Sequence, residues 1–319
     1  MANNKSLETI YRPIRKDLDA FSRRLDSILE PDEPLLGPLE RHLRRSSGKF
    51  LRPAMAILSY RLSGGGGSRI IRLAAALELL HTATLIHDDI MDTSQYRRGH
   101  PTVWARYGTN LSIIAGDYLF SKAFAALNEL NDRRLGPTLV CCAKTMCLGQ
   151  ALQIRLRGGD VPKTSVYLKT IEQKTASLFE AACVSGAQLA GGTPAFIRRM
   201  RVYGHNLGMA FQIVDDCLDF TGQRPLMGKS SGTDLLKQDL TLPVILFLGK
   251  RRGSHRRSIL SKKLPWLRDA IKSSGAIDGS MDLARDYCRR AQDCLTVSGH
   301  NIFARALKQL PDYCLARQS

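Results

Sequence analysis

The sequence predicts an all-α fold, a single-domain bundle of long helices around a central cavity that takes in residues 1–319. Three observations predict it. Apolar residues recur at spacings of three and four: Leu73, Leu77 and Leu80, with Thr84 continuing the same face, and later Leu207, Ala210, Phe211, Val214 and Leu218. Strand-like alternation bounded by turns is scarce. The strongest breaks fall at Gly64 to Gly67, Gly99-His100-Pro101, Gly158-Gly159, Gly191 to Pro194 and Gly222 to Gly232, which leaves helices of roughly 15–25 residues between them.

Composition narrows the class. Of 319 residues, 44% are hydrophobic and 24% charged, the balance of a folded globular chain rather than a disordered one. The net charge of +18 suits an anionic partner. Nucleic acid is not expected: the densest basic run, Lys250 to Lys263, carries no aromatic residue for stacking, and no recognition motif accompanies it. The eight cysteines (141, 142, 147, 183, 217, 288, 294 and 314) form no CxxC pair and no zinc-spaced set with histidine, so free thiols are expected. The first residues, Met1 to Lys5, lack the apolar core of a signal peptide, and no stretch reaches the ~18–20 consecutive apolar residues of a membrane span. A cytoplasmic location is the expectation.

Chemistry is concentrated in two acidic clusters. Asp88-Asp89-Ile90-Met91-Asp92 ends one apolar helical run, and Asp215-Asp216-Cys217-Leu218-Asp219 ends another. On a helix, residues four apart share a face, so Asp88 pairs with Asp92 and Asp215 with Asp219. Like charges at that spacing cost a few tenths of a kcal/mol per pair unless a cation lies between them. Mg²⁺ is such a cation: it takes hard oxygen ligands, keeps several waters, and is held by one or two carboxylates plus substrate phosphates. Two such faces in a chain short of acids point to a metal–diphosphate site.

A bridged diphosphate also needs direct cations, and candidates stand near helix ends and turns. Gly48-Lys49-Phe50-Leu51-Arg52-Pro53 lies between two predicted helices. Arg97-Arg98-Gly99 follows the first cluster, Lys174-Thr175 ends a helical turn, and Lys229 lies in the Gly-rich segment Gly228 to Gly232. His81 stands two turns before Asp88 on the same face.

Together these segments resemble the trans-isoprenyl diphosphate synthase (polyprenyl synthetase) family. The resemblance runs from about residue 30 to about residue 250 through ordered motifs: Gly48-Lys49 with Arg52-Pro53, His81 with Leu85 to Asp92, Arg97-Arg98-Gly99 with Pro101-Thr102, Gly116-Asp117, Lys174-Thr175-Ala176, Phe211-Gln212 with Asp215 to Asp219, Gly228-Lys229, Asp234-Leu235 and Thr241-Leu242-Pro243. It implies the isoprenoid synthase type I fold and three Mg²⁺ ions liganded chiefly by Asp88, Asp92 and Asp215, with Asp89, Asp216 and Asp219 in support. An allylic diphosphate, farnesyl or geranylgeranyl, is expected against Arg97, Lys174 and Lys229, near Thr175 and Gln212. Isopentenyl diphosphate is expected on Lys49, Arg52, His81 and Arg98. Asp88, Asp92, Lys174 and Asp215 carry the expected catalysis, a condensation that lengthens the allylic chain.

Product length depends on what stands beneath the first cluster. Ala83 and Thr84 lie about one turn below Asp88, roughly 6–7.5 Å at 1.5 Å per residue. Both are small, so the expectation is an open shaft and a long product of about C30 to C45 for quinone side chains, as in menaquinone biosynthesis. Residues 165–191 and 234–243 look most like the catalytic subunit of two-component heptaprenyl diphosphate synthases. A homodimer, or a heterodimer with a non-catalytic subunit, is the family expectation, with peripheral membrane contact for product release. Two departures stand out: Gln238-Asp239 replaces a common Gly-Lys, and Gln150 replaces a common Glu. A short-chain synthase, a non-catalytic partner subunit and a class I terpene cyclase are the competing readings; the second Asp cluster argues against the cyclase, and both clusters being intact argues against the silent subunit.

Overall fold

The computed structural model describes residues 6–30, 37–44, 48–158, 160–221, 239–249, 264–295 and 301–317. The chain enters through α1 (Leu7–Tyr11), a 3₁₀ turn (Arg12–Ile14) and α2 (Arg15–Ile28), then α3 (Gly37–Arg44) and α4 (Leu51–Leu62). Two long helices follow, α5 (Arg69–Met91) and α6 (Val103–Asn128), joined by a hairpin in which Tyr96–Arg97 pairs antiparallel with His100–Pro101. α7 (Leu135–Leu156) and α8 (Thr164–Ile171) lead to a π-helical turn (Glu172–Ala176), which runs straight into α9 (Ser177–Leu189). α10 (Pro194–Thr221) is the longest helix, and α11 (Leu242–Gly249), α12 (Leu264–Ser273), α13 (Ala276–Asp293) and α14 (Ile302–Ala316) complete the described chain.

Local sequence explains the boundaries. Gly191 takes φ 75°, a left-handed conformation that suits glycine, and terminates α9; Gly192 N–H then donates back to the Ala187 carbonyl at 2.9 Å. Pro194 opens α10, where its missing N–H costs nothing. Thr102 caps α6 by accepting from Ala105 N–H at 3.0 Å, and Asn301 caps α14 through Phe303 and Ala304. The break at Gly99-His100-Pro101 is thus a hairpin turn rather than a plain loop. Among the described residues three helices run unbroken for 22–28 residues, α6 is kinked at Gly108, where φ is 77°, and others are much shorter, α8 and α11 having eight. Uniform apolar periodicity cannot show where tertiary contacts cut a helix short.

The main core draws on residues from Ile10 to Cys314, with α5 deep within it. By length and composition α5 is long and apolar enough to cross a membrane, which a count of unbroken apolar residues passed over. Here that surface is spent on protein: Leu73, Ala74, Leu77 and Leu80 are buried among α2, α4, α6 and α9. A smaller core of Phe220, Val244, Phe247, Leu267 and Ile271 supports the far end of α10. The eight cysteines are free, as expected.

α4 and α9 meet backbone to backbone. A Cβ on Gly186 would stand 2.3 Å from the Ala56 carbonyl oxygen, which has no flexible end to move. Gly186→Ala is therefore expected to destabilise the fold by about 1–3 kcal/mol. A denaturant midpoint equal to that of the parent chain would contradict this packing.

Candidate active site at two acid-ended helices

Both acidic clusters fall at helix C-termini. Asp88 and Asp89 lie in the last turn of α5, and Asp92 is its C-cap residue. Asp215, Asp216 and Asp219 occupy the last two turns of α10. Neither helix has a basic residue in its last turn. Acids at the negative end of the helix dipole are unfavourable by about 0.3–1 kcal/mol each, and cations belong there instead. The cations come from other elements.

Lys174 Nζ lies 3.4 Å from Asp88 Oδ2 and donates to Gln153 Oε1 at 2.8 Å. Its neighbour Thr175 donates to Gln212 Oε1 at 2.7 Å, and Gln212 Nε2 donates to Asp216 Oδ1 at 2.8 Å. The π turn thus joins the two clusters through consecutive residues. π turns inserted between α-helices often mark functional sites. Tyr167 from α8 donates to the other oxygen of Asp216 at 2.6 Å. Asp216 and Asp219 are buried. Burial holds the Asp88 carboxyl above the usual carboxylate range, although Lys174 pulls it down.

The hairpin splits its two arginines. Arg98 and Gly99 both have positive φ, 51° and 82°, the pattern of a tight two-residue hairpin turn. Arg97 turns to the acids and grips Asp89 with Nε and Nη2, the closest contact at 2.8 Å. Arg98 turns the other way, and its guanidinium lies against Gly48, where a Cβ would come within 2.5 Å of Nη1. Here a second, basic recess forms. Arg52 Nη1 lies 3.0 Å from His81 Nε2, and the guanidinium stacks 4.5 Å from the centre of the Phe179 ring. Arginine can only donate, so His81 Nε2 accepts and its proton sits on Nδ1. Burial, reinforced by Arg52, Arg98 and Arg97, pushes the His81 pKa well down, so the imidazole is neutral. Burial likewise lowers Arg52 to about 10 and raises Glu78, the acid that faces Arg52 and Arg98 from within α5. Lys49 is exposed at the rim, 6.0 Å from the Tyr313 ring.

Two further cations join the acids, and neither was singled out in the sequence. Arg157, at the end of α7, donates to Asp92 and to Asp239. Arg317, just past α14, pairs with Asp215 and lies 4.1 Å from the centre of the Phe211 ring. An acid at a helix C-terminus calls for a cation from somewhere, but its source is a matter of tertiary folding. Lys229, Asp234 and the basic run 250–263 lie outside the described residues. Gln150 is buried, with Nε2 3.7 Å from Met91 Sδ.

One expectation needs correction. Ala83 is fully enclosed, at 0% exposure, and so borders no open shaft. Packing uses its small size to seat α5 in the core. Thr84 is half-buried, and its hydroxyl donates to the His81 carbonyl at 2.7 Å, leaving its methyl as the small group on that face.

Among the described residues, no three carboxylate, imidazole or thiol groups converge into a ready-made metal cage. The donor set is instead paired carboxylates, of which Asp88, Asp92 and Asp215 are each met by an ammonium or guanidinium. Such a set suits hard dications that take most of their ligands from water and phosphate oxygens, which Asp88 and Asp92 on one helix and Asp215 on the other would hold.

Fold and site define an all-helical protein in which two acid-ended helices meet across a basic π turn, beside a recess of arginines and a neutral histidine. The Polyprenyl synthetase family profile matches residues 33–267, and the chain belongs to that family of prenyl diphosphate synthases, with the isoprenoid synthase type I fold. It is 33% identical to heptaprenyl diphosphate synthase component 2 of Geobacillus stearothermophilus, over 89% of this chain and 91% of the relative. It is 35% identical to a short chain isoprenyl diphosphate synthase of Methanothermobacter thermautotrophicus, over 97% and 98%. The crystal structure of a polyprenyl synthase from Caulobacter crescentus, complexed with calcium and isoprenyl diphosphate, superposes with a TM-score of 0.93 at 34% identity, covering 99% of each chain.

The recess makes a prediction. In Gly48→Ala only the flexible end of Arg98 has to move, so the melting temperature is expected to hold within about 2 °C. Affinity for isopentenyl diphosphate, measured by calorimetry, is expected to fall by about tenfold through loss of one charge-assisted contact. Unchanged affinity would show that Arg98 does not bind there.

Proposed function

We propose that this chain is a Mg²⁺-dependent trans-polyprenyl diphosphate synthase that condenses isopentenyl diphosphate with an allylic diphosphate, farnesyl or geranylgeranyl. The observation that carries the reading is the division of the site into an acid-lined half and a basic half, held by adjacent residues of one hairpin, Arg97 and Arg98. An allylic diphosphate suits the acid-lined half, where Mg²⁺ would supply Lewis-acid stabilisation to the leaving group from Asp88, Asp92 and Asp215. Lys174 adds a direct cation there, and Lys229 is its proposed companion. Isopentenyl diphosphate suits Arg52, Arg98, Lys49 and the Nδ1–H of neutral His81.

The allylic C–O bond breaks, and its electron pair leaves with the diphosphate, where the fixed cations stabilise the developing charge. The isopentenyl double bond supplies the electron pair of the new C–C bond. The proton then lost from the adjoining carbon goes to the departed diphosphate. Asp88 and Asp215 are committed to ion pairs and His81 faces arginine, so among the described residues no side chain is assigned as its acceptor.

We further propose a long product, about C30 to C45, as for quinone side chains such as menaquinone. Thr84 supports this: it is the small, half-exposed residue one turn below Asp88, about 6 Å along the helix. A short product is the second reading, favoured by the similarity to a short-chain synthase. A dimer, of two copies or with a non-catalytic subunit, is supported by exposed Leu111, Ile113 and Ile114 on α6 and Val140, Leu148 and Ile154 on α7. A cytoplasmic location, with product released at a membrane surface, completes the reading.

Labelled isopentenyl diphosphate, an allylic primer and Mg²⁺ are expected to yield prenyl diphosphates that EDTA abolishes. No incorporation with any allylic primer would contradict the activity. Sized by mass spectrometry, the products of Thr84→Phe are expected to be shorter by one or more five-carbon units than those of the parent chain. Unchanged length would remove Thr84 as the limiting residue.

A further inference from the structure

Arg157 has no part in the proposed chemistry, yet its guanidinium touches carboxylates on two elements. Nε donates to Asp239 Oδ1 at 2.7 Å and Nη2 to Asp239 Oδ2 at 2.9 Å, a two-toothed fork. The same Nη2 donates to Asp92 Oδ1 at 2.5 Å. Nη1 approaches the Met91 carbonyl at 3.5 Å, one of the carbonyls left without a helical partner at the end of α5. All three charged side chains are recessed, with exposures of 19% for Arg157, 15% for Asp92 and 10% for Asp239.

The two contacts are unequal. Asp239 takes two hydrogen bonds in the planar geometry that guanidinium favours, while Asp92 takes one, from a nitrogen already shared. Asp239 is therefore the seat, and Asp92 is the partner that exchanges. A dication on Asp92 would take over that oxygen, while the fork on Asp239 keeps the guanidinium at the mouth. Nη1, which among the described residues makes only a long carbonyl contact, and the released N–H of Nη2 would then face whatever anion accompanies the dication.

We propose that Arg157, seated by Asp239, is a further diphosphate-binding residue of the acid-lined half-site, and that it serves as the counter-cation of Asp92 in the empty protein. This rests on the reading of that half-site as a metal–diphosphate site. It makes two demands of opposite sign. Removing the guanidinium takes a competitor off Asp92, so Mg²⁺ alone binds more tightly. It also takes a donor from the anion, so inorganic pyrophosphate with Mg²⁺ binds more weakly. A purely structural role would move both in the same direction, or neither.

Titration calorimetry on the full chain with Mg²⁺ alone, and with inorganic pyrophosphate in saturating Mg²⁺, separates these outcomes. Arg157→Met is expected to weaken pyrophosphate binding by about tenfold, one charge-assisted hydrogen bond's worth, and to tighten Mg²⁺ alone. The exchange Arg157→Met/Asp239→Lys, which returns a cation to the same place, is expected to recover pyrophosphate affinity. Should Arg157→Met fail to fold, Arg157→Lys keeps the charge without the fork and is expected to show a smaller loss. Pyrophosphate binding equal to the parent's in the folded variant, a parallel loss of both affinities, or no recovery in the exchange would overturn the assignment of Arg157. A parent chain that binds no Mg²⁺–pyrophosphate would overturn the underlying half-site reading instead.

Discussion

The structure depends on one electrostatic opposition: two apolar helices end in acids at the pole where the helix dipole is already negative. Asp88, Asp89 and Asp92 close α5, and Asp215, Asp216 and Asp219 close α10, with no basic residue in either last turn. Repulsion between acids one turn apart adds to the cost. The fold answers with cations from four other places: Lys174 from the π turn, Arg97 from the hairpin, Arg157 from the end of α7 and Arg317 from the C-terminal segment. Each cation ties a distant element to an acid-ended helix. The elements that make the site are thus also those that close the bundle around it.

The basic recess solves the reverse problem. Arg52 and Arg98 stand close to one another, the Phe179 ring lies against Arg52, and the Glu78 carboxyl faces both. His81, surrounded by arginines, stays neutral and accepts from Arg52. A second diphosphate would relieve this surplus of positive charge as a dication relieves the acids. Two half-sites, each incomplete and of opposite sign, suit two substrates that share a diphosphate and differ in what carries it.

Much of this was legible in the sequence, for local reasons. An i, i+4 pair of acids on an apolar helix is set by helix geometry alone, and a Gly-Pro break marks a helix end whatever surrounds it. Arg97 and Arg98 were recognisable as cations, though their divergence follows from positive φ at Arg98 and Gly99, which the residue types only hint at. What sequence could not give are pairs made by tertiary folding: Arg157 lies 65 residues from Asp92, Tyr167 49 from Asp216, and Arg317 102 from Asp215. Ala83 shows the converse error. A small residue reads equally as a gap or as a close contact, and here it is a contact. Asp239 is similar: in the sequence it reads as a lost cation, while in the structure it seats Arg157.

The acids carry a cost of burial and mutual repulsion that their ion pairs only offset, and on the proposed reading a metal-bridged diphosphate relieves it. Burial holds Asp88 above its ordinary pKa, so folding disfavours its ionised form, and stability drains away as pH rises through that raised value. A neutral amide escapes this cost. The most direct test is the melting temperature of Asp88→Asn at neutral pH, with and without Mg²⁺ and inorganic pyrophosphate. The account predicts that the empty variant melts no lower than the parent and that the ligand-induced rise seen in the parent is lost. A lower melting temperature when empty, with the ligand-induced rise intact, would contradict it.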